Sequence, residues 1–116
     1  MGEYLLLFRG GQDGGTDHFS EKWQQHMHRW MIWMAELQKK GQFLSAQPLR
    51  HEGRQVSGPE KTIKEGPFME GNEKVSGYLL CNADNFDEAV ELAMGCPVLE
   101  FESGKVEVRE IQELKV

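Results

Sequence analysis

Three stretches of the sequence predict an α+β sandwich built on an antiparallel sheet. Tyr4-Leu5-Leu6-Leu7-Phe8 is an apolar run with no polar face, the pattern of a central strand covered on both sides. Ser20 to Lys40 repeats apolar residues at helical spacing, and Val75 to Cys81 alternates at strand spacing. The full order reads strand, long helix, two or three strands, helix, strand. With right-handed crossovers, that order suits a ferredoxin-like sandwich. Both helices would cover one face of the sheet, and the other face needs a lid.

Composition narrows the function classes. The 116 residues suit a single domain, 1–116, with 39% apolar and 28% charged residues. A net charge of −6 argues against a nucleic-acid partner, because phosphate binding needs clustered Lys and Arg. The longest apolar run, Tyr4 to Phe8, is far too short for a membrane span. No basic start with an apolar segment and cleavage site appears. Cys81 and Cys96 match neither a redox nor a zinc pattern, and two reduced thiols point to a cytoplasmic location.

After the first strand, Arg9 to Asp17 is a Gly-rich loop without Walker or GxGxxG spacing, so it reads as a connector. Ser20 or Asp17 can cap the long helix, and Lys39-Lys40-Gly41 supplies its basic end and glycine stop. Phe19, Trp23, Met27, Trp30, Met34 and Leu37 form its core stripe, with Trp33 at the edge. Met31 and Ile32 lie outside the stripe and suggest a second contact, such as another subunit. Phe43 to Leu49 reads as a strand whose Pro48 favours an edge. Arg54-Gln55-Val56 and Lys61 to Lys64 are shorter strand patterns separated by Ser57-Gly58-Pro59. Asp84 can cap a helix through Met94, with Phe86, Ala89, Val90 and Ala93 facing the core. Gly95 ends that helix, and Pro97 prevents its return. In the last strand, Val106 and Val108 oppose Glu107 and Arg109.

The most distinctive stretch is Glu65-Gly66-Pro67-Phe68, followed by Glu70, Glu73 and Ser76-Gly77-Tyr78. Gly66-Pro67 is a turn signal, which places Gly66 in a conformation that suits glycine and seats Phe68 at the core. This run resembles the Asp-Gly-Pro-Phe and Gly-Gly-Tyr signature of the YCII-related (DGPF) domain family. The resemblance extends from Tyr4 to Leu7 through Ala93, Cys96-Pro97 and Gly104 to Arg109. It implies the dimeric α/β-barrel type of fold, in which two sheets pair face to face in a homodimer. It also carries a functional precedent, since a few YCII-like members are associated with dehydrochlorination of aromatic intermediates.

His26 is the first candidate for chemistry. It lies about 60° from Trp23 around the helix, at the border of the buried face, where an imidazole can be tuned for proton transfer. Gln25-His26-Met27-His28-Arg29-Trp30 resembles the His-Leu-x-x-Leu helix of YciI-type members, with His26 at their active-site histidine. The other reading is an inert histidine at the edge of the core. YciI-type members pair that histidine with an aspartate after the second helix, and Cys96 stands at that position here. Cys96 could be a nucleophile beside His26 or a packing residue. Arg9, Glu70 and Tyr78 are the other groups expected to border a pocket, with Arg9 suited to binding a carboxylate. His18, His28 and His51 form no metal-site spacing with His26, and no metal or cofactor is expected. Two functions follow. One is acid–base chemistry by His26 on a small acidic or phenolic substrate. The other is a non-catalytic dimeric module that binds a ligand or protein.

Overall fold

A computed structural model describes residues 2–10, 20–50, 52–66, 69–70 and 73–114. Strand β1 (Gly2–Arg9) leads to helix α1 (Glu21–Lys39), then to strand β2 (Phe43–Pro48). Strands β3 (Gly53–Ser57) and β4 (Thr62–Gly66) follow, then the short β5 (Met69–Glu70) and the long β6 (Glu73–Ala83). Helix α2 (Phe86–Met94), a 3₁₀ turn (Pro97–Glu100) and strand β7 (Lys105–Glu110) complete the chain.

The main sheet runs β2-β6-β1-β7, with every neighbouring pair antiparallel and β5 folded back on β6. β1 and β2 therefore run parallel on either side of β6, joined by α1. β6 and β7 run parallel on either side of β1, joined by α2. These two interleaved crossovers make the fold the ferredoxin-like α+β sandwich that the element order predicts.

One face of the sheet carries the core. Tyr4, Leu6 and Phe8 of β1 and Gly77, Leu79, Cys81 and Ala83 of β6 are buried beneath Trp33 and Leu37 of α1 and Ala89 and Ala93 of α2. Gly77 lies opposite Phe8, and a Cβ there would approach the Phe8 ring at 3.3 Å and the Gln47 carbonyl oxygen at 3.0 Å. The opposite face pairs Leu5 with Leu80 and Leu7 with Tyr78, all of them half-buried. Among the described residues of one chain, β1 is thus covered on one side only, which differs from the two-sided cover its apolar run suggests.

The helix caps and stripe differ from expectation in detail. Ser20 caps α1 by accepting a hydrogen bond from the Trp23 amide at 3.1 Å. Asn85, rather than Asp84, caps α2 by accepting from the Glu88 amide at 2.9 Å. The buried line of α1 is His26, Trp33 and Leu37, whereas Met27 is 42% exposed on the flank. Trp33 takes the centre because its ring meets Phe8 edge-on at 6.3 Å and its N–H donates to the Leu92 carbonyl at 3.2 Å. An indole needs both a large apolar surface and an acceptor, and the sheet and α2 provide them. Phe19 of the predicted stripe, and Asp17 as the alternative cap, lie outside the described residues.

β3 and β4 pair with each other as a separate ribbon instead of joining the sheet. Val56 and Ile63 face each other in its register at 64% and 66% exposure, too little apolar surface to hold it on the core. Gly66 ends β4 opposite Gly53, so it extends a strand where the sequence suggests a turn. Pro67 and Phe68 lie outside the described residues.

Candidate functional site

The site is built where α1 crosses the segment between α2 and β7. Trp30 and Trp33 anchor α1 on Phe8 at 5.1 and 6.3 Å, and this sets the rotation of the helix. His26, one turn before Trp30, is thereby turned inward to 6% exposure. Opposite it, Pro97 opens the 3₁₀ turn that carries Glu100, and Phe101 follows. The Gly104 amide donates to the Phe101 carbonyl at 3.0 Å and closes the loop into β7.

Both ring nitrogens of His26 are engaged. Nδ1 lies 3.1 Å from Glu100 Oε1, and the Trp30 indole N–H donates to Nε2 at 2.9 Å. An indole N–H can only donate, so Nε2 presents its lone pair and the ring proton sits on Nδ1, directed at Glu100. Arg29, three residues after His26 on the same helix, grips the same carboxylate with a fork: Nε to Oε2 and Nη2 to Oε1, both at 2.7 Å. That fork, helped by the His26 hydrogen bond, holds the Glu100 carboxyl down to about 2, so it is ionised at neutral pH. The imidazole is walled by Phe101 at 4.9 Å and Trp23 at 5.7 Å between ring centres.

The chemistry of such a unit is defined. A carboxylate on Nδ1 orients the imidazole and stabilises the imidazolium that forms when Nε2 takes a proton. In this conformation Trp30 caps that nitrogen.

The candidate residues named from sequence divide between two places. His26 lies on the helix-covered side of the sheet. Cys96 is buried at the start of the 3₁₀ turn, and burial pushes its thiol up to about 12, a setting for packing rather than for a thiolate. The carboxylate on His26 is Glu100, four residues beyond Cys96. Sequence reasoning passed over it, because only the winding of the turn brings it round to α1. Arg29, likewise not singled out from the sequence, stands three positions from His26 and so shares its helix face.

Arg9 and Tyr78 lie on the open face, with Leu5 and Leu7 beside them. There Arg9 Nε donates to Glu107 Oε1 and Arg109 Nη1 to Glu107 Oε2, each at 3.2 Å. The Arg109 bond, then that of Arg9, holds the Glu107 carboxyl below its usual range. Glu70 falls in β5, and its side chain is outside the described residues. Among the described residues, no group of three His, Cys, Asp or Glu is placed to hold a metal ion, and no helix is long and apolar enough to cross a membrane.

No curated protein matches the chain. Among solved structures, it is similar to 5-chloro-2-hydroxyhydroquinone dehydrochlorinase from Burkholderia phenoliruptrix AC1100, determined in complex with 2,5-dihydroxybenzoquinone. The likeness has a TM-score of 0.53 at 12% identity, covering 94% of this chain and 93% of the other, and it establishes shared fold. The sequence matches the YCII-related domain over residues 3–115, nearly its whole length. The chain therefore belongs to the YCII-related domain family.

Proposed function

We propose that the protein binds a small hydroxylated aromatic compound beside His26 and moves a proton to or from it. The observation that carries this reading is the Arg29–Glu100–His26 relay, which leaves Nε2 as the one basic nitrogen of an oriented imidazole. In the step, a substrate O–H bond breaks and its electron pair stays on oxygen, while a bond forms between the proton and Nε2. Glu100 then faces an imidazolium. The aromatic walls suit a flat ring. The fold-mate's bound dihydroxybenzoquinone supports the same ligand class.

The test is NMR titration of the histidine rings with a panel of phenols and carboxylates, using exposed His28 on the same helix as internal control. A phenol should shift His26 and leave His28 unmoved. If no compound moves His26, while His26→Ala keeps the fold and no turnover is found, the reading fails. The non-catalytic alternative, a binding module with an idle site, draws its support from the Trp30 cap on Nε2.

A homodimer completes the proposal. Leu5, Leu7, Tyr78 and Leu80 line a sheet face that no element of the same chain covers among the described residues. A second copy stacked by a two-fold axis would bury that face. Arg9 would then lie at the interface, where it and Tyr78 could meet an acidic ligand. Sedimentation equilibrium at micromolar concentration should give twice the chain mass; a monomer there ends the dimer proposal. Both cysteines are free and buried, which supports a reducing, cytoplasmic compartment.

A further inference from the structure

We infer that Trp30 occupies the place of the ligand's polar group, so that the site takes a hydrogen-bond donor, an aromatic hydroxyl, and rejects a carboxylate. This rests on the reading of His26 as the ligand site. The polarity of the imidazole is dictated from both ends. Glu100 is ionised and can only accept, so Nδ1 carries the proton. Nε2 receives the Trp30 N–H at 2.9 Å and has only a lone pair to offer. Any group that replaces the indole at Nε2 must therefore donate. A phenol does so directly, whereas a carboxylate sets lone pair against lone pair until Nε2 has taken up a proton, so the neutral ring discriminates against it.

The surroundings agree. Phe101 and Trp23 flank the imidazole with ring centres 4.9 and 5.7 Å from it, aromatic neighbours of the kind that a phenol ring packs on. Trp30 is half-buried and stands four residues along the same helix, so a ligand reaches Nε2 only by displacing its indole. The edge contacts of Trp30 with Phe8 and Trp33, at 5.1 and 5.7 Å, hold the closed state and set the resistance a ligand must overcome.

The experiment is ring-nitrogen NMR on the wild type and on Trp30→Phe, with phenol as probe and benzoate as the acceptor-only control. In the wild type, His26 should be protonated at Nδ1 alone, and phenol should shift both His26 and the Trp30 indole N–H. Trp30→Phe keeps a ring but removes the competing donor, so phenol should bind about tenfold more tightly, the equivalent of one hydrogen bond. At mildly alkaline pH, where the ring is neutral, benzoate should leave His26 unmoved in both proteins. Phenol that moves His26 but not the Trp30 indole, or benzoate binding Trp30→Phe as tightly as phenol, overturns the inference while leaving a ligand site at His26 standing. If neither compound moves His26 in either protein, the site reading itself falls and takes this inference with it. Should Trp30→Phe fail to fold, the indole resonance of the wild type decides alone.

Discussion

Gly104→Ala should destabilise the protein by roughly 3–5 kcal/mol, in the range reserved for backbone clashes and core cavities. The added Cβ would overlap the Val98 carbonyl and lie 3.1 Å from the Phe101 carbonyl oxygen. All of these atoms are backbone, so no flexible side chain can swing aside. The loop from Val98 to Gly104 would have to open, breaking the hydrogen bonds from the Phe101 amide to Val98 and from the Gly104 amide to Phe101. Glu100 and Phe101 ride on that loop, so the His26 resonances should move together with the loss of stability. Urea unfolding is the measurement. A loss under about 1 kcal/mol with unmoved His26 resonances would mean that the loop does not position the site.

Glu100→Ala should cost about 2 kcal/mol at neutral pH, because it leaves the buried Nδ1–H of His26 without an acceptor and the Arg29 fork without its carboxylate. The loss should depend on pH. In the folded protein the Glu100 carboxyl is held near 2, below the 4.5 of an unconstrained glutamate, with Arg29 as the main cause. A depressed carboxyl contributes stability that is fully present above about 4.5 and fades as pH falls toward 2. The side chain is 37% exposed, so solvent screens the pair and the effect stays modest. Unfolding of wild type and variant should differ most at pH 7 and least near pH 2. Glu100→Gln keeps an oxygen for Nδ1–H, so it should lose less stability than alanine and show little of the pH dependence. An unchanged gap between wild type and Glu100→Ala across that range would show that charge on Glu100 contributes nothing.

Much of the scaffold was legible because short-range rules govern it. The alternation from Val75 to Cys81 marks a strand, Ser20 supplies a side-chain cap, and Gly41 has the left-handed φ of 72° that a glycine stop provides. Helical geometry puts His26 at the border of the buried face, whereas the structure buries it to 6% exposure. Arg29 was not singled out, although its spacing puts it on the same helix face. The same rules misplace the centre of the α1 stripe, since they count apolar side chains without weighing which can also satisfy a polar atom. Trp33 has an acceptor in the Leu92 carbonyl and is buried, while Met27, equally apolar by pattern, stays on the flank.

The sequence by itself determined the class of fold, the family, and the helix face from which His26 projects, because periodicity, caps and motifs are local along the chain. The tertiary structure alone decided what His26 touches. Its carboxylate comes from Glu100, 74 residues away, and depends on how a 3₁₀ turn winds after Pro97. Its other nitrogen is closed by Trp30, whose ring direction is set by Phe8 and Trp33. Arg9 and Tyr78, which read as neighbours of the same pocket, fall on the opposite face because side chains alternate across a strand. Contacts between distant segments follow from the register of the sheet and the packing of rings, neither of which any local pattern encodes.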